Sequence, residues 1–119
     1  MGALTSPNGL EAFRWTAATG TIGLGDLAGG SFQSDARAVS ADGLVISGTA
    51  WGDSGQRAYR WTESTGMVAL GELPALYPGS HGQGISGDGS TVVGFCPAFD
   101  APGGQPCRWT EPTGMLSLG

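Results

Sequence analysis

The 119-residue chain is long enough for one domain with a single core and too short for two ordinary domains. It has five arginines, no lysine and a formal net charge of −5, which excludes nucleic acids and anionic membranes as expected partners, because both need clustered basic side chains. The longest apolar runs are only a few residues, so no membrane span is expected, and residues 1–10 lack the basic start and apolar stretch of a signal peptide.

The sequence repeats itself. The triplet Arg-Trp-Thr occurs at 14–16, 60–62 and 108–110, at spacings of 46 and 48 residues. Each triplet is followed by Thr-Gly and then by Leu-Gly. A second block recurs one 46-residue step apart, as ARAVSADGLVISG at 36–48 and GQGISGDGSTVVG at 82–94. These matches predict one domain over 1–119, with a partial repeat over 1–35 and repeats over 36–81 and 82–119.

Each repeat predicts four short strands. In the first Arg-Trp-Thr strand, Phe13 and Trp15 lie on one face and Arg14 on the other, as the two-residue strand period requires. The Thr-Gly pair predicts a turn before a short apolar strand. Asp42-Gly43 and Asp88-Gly89 each separate apolar segments and predict hairpins with type I′ turns, in which both central residues have positive φ. No segment has helical periodicity, so the predicted class is all-β.

Tandem four-stranded antiparallel units of this length predict a partial β-propeller-like fold. One such unit cannot bury both of its faces alone, and a short array exposes strand edges that pair with other chains. A closed ring has about four or more blades. Completion by oligomerisation is therefore expected, preferably as a homodimer with about five repeats, and a trimer is the alternative.

Four segments together carry a family resemblance: Ala-Phe-Arg-Trp-Thr, Thr-Gly-Met, Leu-Gly before an acidic residue and Leu, and Val-Ser-Ala-Asp-Gly. They resemble the bacterial extracellular repeat called the HAF repeat, over residues 11–119. The usual His before Ala-Phe is absent, with Glu11, Arg57 and Gln105 near that place. The resemblance implies propeller-like repeats in an extracellular or cell-surface protein, and it implies no reaction.

Two features that resemble catalytic or nucleotide-binding motifs have simpler interpretations. Residues 82–87 read Gly-Gln-Gly-Ile-Ser-Gly, but a dinucleotide site needs this run to open a helix, and here it leads into a hairpin. His81 is the only histidine, with Ser80 and Ser86 near it in sequence, and a triad needs groups brought together by the fold. We expect His81 on an exposed surface loop, no catalytic residues and no cofactor.

Acidic residues also recur once per repeat, as the pairs Asp42 with Asp88 and Asp26 with Glu72. Calcium needs about six to eight oxygen ligands around one point, and the Asp-Gly turns already explain the first pair. The second pair is expected to form salt bridges with the repeated arginines, Arg14, Arg60 and Arg108. No metal site is predicted.

Aromatic residues divide into two groups. The equivalent positions Trp15, Trp61 and Trp109 are predicted in the core, with a ligand platform as the alternative, because periodic aromatics usually pack inside. Trp51, Tyr77 and Phe99, with Phe32, fall in loops outside this pattern. They are the predicted ligand-binding residues, forming an exposed patch for a sugar or a protein, and the alternative is that they pack under their own loops.

Cys96 and Cys107 lie in consecutive predicted strands. If these strands form a hairpin, the two cysteines lie near each other and a disulfide would close the loop at 97–106; the alternative is two free buried thiols. The other repeats have Ala50 and Tyr59 at these places, which argues against a metal-ligand pattern. A disulfide would indicate an oxidising compartment.

Together these patterns predict a non-catalytic β-repeat binding or structural module that self-associates and presents loops to a protein or carbohydrate partner. The alternative is a secreted, lectin-like glycan-binding protein, and a hydrolase is the least supported possibility, because a fold alone does not establish one.

Overall fold

The computed structural model describes residues 2–6, 9–25, 33–52, 55–70, 80–98 and 101–117. Within these ranges, eleven strands form three antiparallel sheets and no helix is present. The first sheet contains β1 (Gly2–Ser6), β2 (Gly9–Thr16) and β3 (Gly20–Gly23). The second contains β4 (Ser34–Val39), β5 (Ile46–Gly52), β6 (Gly55–Thr62) and β7 (Gly66–Ala69). The third contains β8 (His81–Ile85), β9 (Thr91–Ala98), β10 (Ala101–Thr110) and β11 (Gly114–Ser117).

Each sheet is a meander, in which strands that follow one another along the chain pair side by side. The last two strands have the same register in all three sheets: the pairs are Arg14 with Ile22, Arg60 with Val68, and Arg108 with Leu116. The all-β, antiparallel class predicted from the sequence is confirmed. None of the sheets closes on itself within the described part of the chain.

The predicted Thr-Gly turns are present after each Arg-Trp-Thr strand. The turn glycines Gly20, Gly66 and Gly114 have φ values of 72°, 71° and 69°, in the left-handed region that glycine adopts without a steric cost. In the first turn, the hydroxyls of Thr16 and Thr19 lie 2.5 Å apart, and the Thr19 amide donates to the Thr16 hydroxyl at 3.1 Å. Threonine hydroxyls therefore satisfy backbone and side-chain groups that the tight turn would otherwise leave unpaired.

The Asp-Gly hairpins are also present, but the predicted type I′ turn is wrong. The Gly43 amide donates to the Ser40 carbonyl at 3.0 Å, so Ala41 and Asp42 are the central residues and Gly43, with φ of 76°, follows them. A side-chain contact supports this geometry. The Asp42 carboxylate accepts hydrogen bonds from the Ser40 hydroxyl at 2.7 Å and the Leu44 amide at 3.0 Å, which holds the wider turn.

Two glycines one repeat step apart allow a close approach between strands. A Cβ atom at Gly48 would overlap the carbonyl oxygen of Asp35, and one at Gly94 would overlap the carbonyl oxygen of His81. Both glycines lie opposite register shifts in the first strand of their sheets. Glycine is required here because the bulged strand leaves no space for a side chain.

The hydrophobic core lies between the sheets. One buried cluster joins Ala12 and Leu24 of the first sheet region to residues of the second, namely Ala36, Ile46, Ala50 and Tyr59, with Trp61 and Met67 packed against it. A second cluster joins Ala58 and Leu70 to Val92 of the third sheet, with Ile85, Trp109 and Met115 packed against it. Each sheet therefore contributes apolar side chains to a core that it shares with its neighbour.

A buried serine links each pair of neighbouring sheets. Ser34 of the second sheet is 1% exposed; its hydroxyl accepts from the Ala12 amide at 2.9 Å and donates to the Gly25 carbonyl at 2.8 Å. Ser80, one repeat step later and 0% exposed, accepts from the Ala58 amide at 2.8 Å. These hydroxyls satisfy backbone groups of the preceding sheet that would otherwise be buried without partners.

Replacing Ser34 with alanine is expected to destabilise the protein by about 1–3 kcal/mol, because the Ala12 amide would stay buried without an acceptor. Urea unfolding followed by tryptophan fluorescence measures the loss. Ser64→Ala, at an exposed turn position, is the control and should change the free energy of unfolding by less than about 0.5 kcal/mol. Equal stability of S34A and S64A would contradict a structural role for the buried hydroxyl.

Candidate binding grooves between adjacent sheets

The arginine of each Arg-Trp-Thr motif reaches the turn of the following sheet. Arg14 Nε donates to the Gly43 carbonyl at 3.0 Å, and Arg60 Nε donates to the Gly89 carbonyl at 2.9 Å. Both arginines are half-buried, and each contact joins residues 29 apart in sequence. The repeated arginine thus connects one sheet to the next through a backbone acceptor. The predicted partners Asp26 and Glu72 lie outside the described residues, so those salt bridges stay predictions.

Each of these arginines lines an open groove beside the tryptophan of the next sheet. Groove 1, about 350 Å³, lies where the first and second sheets meet and is lined by Arg14, Asp42, Trp61 and Glu63, among others. Groove 2, about 480 Å³, lies at the next junction and is lined by Arg60, Ser90, Trp109, Thr110 and Glu111, among others. Arg, Trp and Glu recur at equivalent positions, so the chain builds the same kind of groove twice.

Groove 2 presents both a donor and an acceptor that the described residues leave open. Arg60 uses Nε for the Gly89 carbonyl, and within the described ranges its terminal nitrogens have no hydrogen-bond acceptor. Glu111 is exposed, and no described residue donates to its carboxylate or forms an ion pair with it. The Thr110 and Thr113 hydroxyls, by contrast, bond to each other at 2.6 Å. A ligand in groove 2 would therefore meet a guanidinium, a carboxylate and an indole.

The three repeated tryptophans have different surroundings. Trp61 and Trp109 are half-buried and pack against the two cores, as predicted, while also lining the grooves. The prediction of a core position is wrong for Trp15, which is 61% exposed. The cause is its place in the fold, since no described sheet packs on the side of the first sheet where a preceding unit would lie.

The sequence contained a signal for the grooves that periodicity did not reveal. Glu63 and Glu111 follow the threonine of the second and third Arg-Trp-Thr motifs, whereas Ala17 follows the first. The acidic residue thus occurs only where an arginine of a preceding sheet lies nearby. Because the groove is formed by residues of two repeats, alignment of the repeats alone does not bring its members together.

The structure places Trp51, one residue of the predicted aromatic patch, away from the grooves. Trp51 is half-buried at the end of β5, pairs with Gln56, and donates its amide to the Gln33 carbonyl at 2.9 Å. Ile46, which pairs with Trp61 at the groove end of the sheet, lies five residues earlier, or about 17 Å along the strand. Tyr77, Phe99 and Phe32 lie outside the described residues. A ligand site formed by Trp51, Tyr77 and Phe99 stays a prediction.

The sequence predicted His81 on an exposed loop, and this prediction is wrong. It is the first residue of β8, half-buried and stacked on Phe95, with ring centroids 4.4 Å apart and planes 13° apart. Burial lowers the pKa of His81, and the charge of Asp35 partly opposes this effect. The Ser80 hydroxyl accepts from Ala58, and the Ser86 hydroxyl donates to Asp88 at 2.7 Å. The two serines therefore have structural roles within the repeat.

The two cysteines lie close together, as predicted for strands that form a hairpin. Cys96 pairs with Gln105 and Cys107 with Gly94 across the β9–β10 hairpin, so the cysteines are diagonal neighbours. Both are buried and are not joined by a disulfide in this structure, and a hydrogen bond with Cys96, together with burial, raises the pKa of the Cys107 thiol. The disulfide stays a prediction.

No metal cluster is found among the described residues, and no relative of the chain is identified. The described residues contain no cluster of three or more His, Cys, Asp or Glu side chains that could hold a metal ion. The ranges that the structure describes include no helix with the length and apolar character needed to cross a membrane. The sequence matches no family model, and no curated protein or solved structure is significantly similar to it. The resemblance to HAF repeats therefore stays a prediction.

The Asp-Gly turn beside groove 2 predicts a pH effect. The Ser90 amide and the hydroxyls of Ser86 and Ser90 all donate to Asp88, which lowers its pKa to about 2. Because the folded-state pKa lies below the ordinary value of 3.8, the turn is stabilised above that pH, and the stabilisation is lost as the pH falls toward about 2. The chemical shift of the Asp88 carboxyl carbon, followed by NMR as the pH is lowered, should report a pKa of about 2.

The variant Ser86→Ala should raise the pKa of Asp88, because one of its donors is removed. Asp42 is the internal control: its pKa is lowered mainly by the Ser40 hydroxyl and should be the same in both proteins. An Asp88 pKa at or above the ordinary value in the unaltered protein would show that the turn contacts are not formed in solution.

Proposed function

We propose that this chain is a non-catalytic β-repeat binding module, in which tandem blade-like sheets, arranged as in part of a propeller, bind a ligand where neighbouring sheets meet. The observation that carries the proposal is the recurrence of one groove chemistry at two successive junctions: Arg14 with Trp61, and Arg60 with Trp109. The equal register of the last two strands in all three sheets supports a tandem repeat of one structural unit.

Binding fits groove 2 better than catalysis does. Hydrolysis commonly needs a nucleophile with an adjacent base, or two carboxylates around one bond. In groove 2 the threonine hydroxyls bond to each other, and the Ser90 hydroxyl donates to Asp88 at 2.7 Å. His81 is stacked on Phe95 and is not among the groove residues. The free groups of groove 2 are a cation, an anion and an aromatic ring, which suit recognition.

Self-association is the second part of the proposal. At both described junctions, an arginine of one sheet and a tryptophan of the next line one groove. Arg108 and Trp15 are the remaining members of these two series; Arg108 is exposed and Trp15 is 61% exposed. A second copy that places its Trp15 against Arg108 would complete the same pairing, with a cation–π contribution. Contacts of this head-to-tail kind close into a ring when the rotation permits it.

The contact between copies is expected to be weaker than the contacts within the chain. Pro106 stands where Ala12 and Ala58 donate their amides to Ser34 and Ser80, and proline has no amide hydrogen. The third sheet therefore cannot donate this hydrogen bond to a following serine. We propose a reversible dimer, and the resemblance to HAF repeats favours a location outside the cell or on its surface.

Light scattering coupled to size-exclusion chromatography tests the dimer. The chain mass is 12.0 kDa, and we expect the measured mass to rise toward twice that value with increasing protein concentration. Trp15→Ala and Arg108→Ala should each shift the population toward monomer, and Ser64→Ala, in a turn of the middle sheet, should not. A folded protein that stays monomeric at every concentration would contradict self-association.

Fluorine NMR of the protein labelled with 5-fluorotryptophan tests the binding site. The chain has four tryptophans, of which Trp61 lines groove 1 and Trp109 lines groove 2. Each resonance can be assigned by a single Trp→Phe variant. A fragment screen should produce hits that shift Trp61 and Trp109 and leave Trp51 unchanged, because the grooves hold the open polar groups. Hits that shift Trp51 alone would move the site to the opposite end of the sheet and overturn the proposal.

A further inference from the structure

Groove 2 combines open polar groups with an indole, and we propose that this groove binds an uncharged carbohydrate through a pyranose ring. This inference rests on the proposed function and names the ligand class of the same site. The groove has a volume of about 480 Å³, within the range of roughly 300–1,000 Å³ that is typical of small-molecule sites. Its lining combines one indole, one guanidinium and one carboxylate.

The charges of groove 2 favour a neutral ligand. Arg60 and Glu111 line the same space and form no ion pair with each other within the described residues. An anionic ligand attracted by Arg60 would be repelled by Glu111, and a cationic ligand attracted by Glu111 would be repelled by Arg60. A hydroxyl group both donates and accepts, so neighbouring hydroxyls of a sugar can bond to the guanidinium and the carboxylate together.

Trp109 provides the apolar part of the site. Its ring is half-buried against the core of Ala58, Leu70 and Val92 while also lining the groove, so the core holds it in place. A rigid aromatic ring offers a large contact area at low entropic cost. A pyranose ring has an apolar face of C–H groups and a rim of hydroxyls, which matches an indole next to paired polar groups.

A peptide fits this groove less well. Peptides that bind β proteins commonly add a strand to an exposed edge, where main-chain groups supply the affinity. Groove 2 is instead lined by side chains and by the turn at Glu111–Thr113, between β10 and β11. Its recognition groups are therefore side-chain groups suited to hydroxyls rather than a ladder of backbone donors and acceptors.

Groove 1 serves as a built-in comparison. Leu44 lies where groove 2 has Ser90, and Asp42 is also a lining residue, so two acidic residues and one arginine line groove 1. The balance of charges that favours an uncharged ligand is absent from groove 1. We expect groove 2 to bind a neutral sugar more tightly than groove 1 does.

The test uses the fluorine resonance of Trp109 and four sets of probes. The neutral probes are cellohexaose, mannohexaose, xylohexaose and chitohexaose; the others are heparin-derived hexasaccharide, polygalacturonate fragments and a random decapeptide pool. We expect at least one neutral hexasaccharide to shift Trp109 in a saturable way. Glu111→Gln should weaken that binding by about tenfold or more, because a charged hydrogen-bond acceptor is lost.

Glu63→Gln is the matched control. It makes the same exchange at the equivalent position of groove 1 and should leave the affinity measured at Trp109 unchanged. Glu111 and Glu63 are both exposed, so neither variant is expected to disturb folding. Equal weakening by E63Q and E111Q would overturn the assignment of the sugar to groove 2.

The remaining outcomes separate the two proposals. Saturable shifts of Trp109 by the anionic or peptide probes, without shifts by neutral sugars, would overturn the carbohydrate inference and leave the groove as a binding site. If no probe of any class shifts Trp109 or Trp61 in the folded protein, both the inference and the proposed function fail.

Discussion

At both junctions between the described sheets, buried apolar contacts are joined by hydrogen bonds to backbone groups, and two of these bonds recur at each junction. The serine hydroxyl of one sheet accepts from an alanine amide of the preceding sheet, and the arginine of the preceding sheet donates to a turn carbonyl. Hydrophobic packing supplies most of the stabilisation but has little directional preference. The two hydrogen bonds fix the relative position of the sheets, because their donors and acceptors are buried or half-buried and costly to leave unpaired.

The same contact creates the grooves. In groove 2 the arginine donates one N–H to the turn carbonyl, and its terminal nitrogens have no acceptor among the described residues. The adjacent tryptophan packs against the core and also lines the groove. The proposed recognition role therefore falls on side chains that also hold the sheets together. A groove of this kind lies at both junctions between the described sheets, because each junction brings together an Arg and a Trp that recur in the sequence.

The third sheet departs from the pattern at the positions that matter for this contact. Pro106 stands where the other sheets have an alanine that donates its amide. Cys96 and Cys107 stand where the second sheet has Ala50 and Tyr59. The two thiols form their own small buried cluster with Met115, in contrast to the second sheet, where the Tyr59 hydroxyl donates to the Asp35 carbonyl at 2.7 Å. The sheet keeps the meander and the register of its last two strands, so these changes do not alter its topology.

The sequence by itself determined the all-β class and the positions of the turns, because strand alternation and the Thr-Gly and Asp-Gly pairs are local patterns that a short segment specifies on its own. It also identified the repeated arginines and tryptophans. Tertiary structure decided what these and other residues contact. Arg60 donates to the Gly89 carbonyl, Trp15 is exposed, and His81 is stacked on Phe95. Each of these outcomes depends on which sheet packs against which, a relation between residues far apart along the chain that no local pattern encodes.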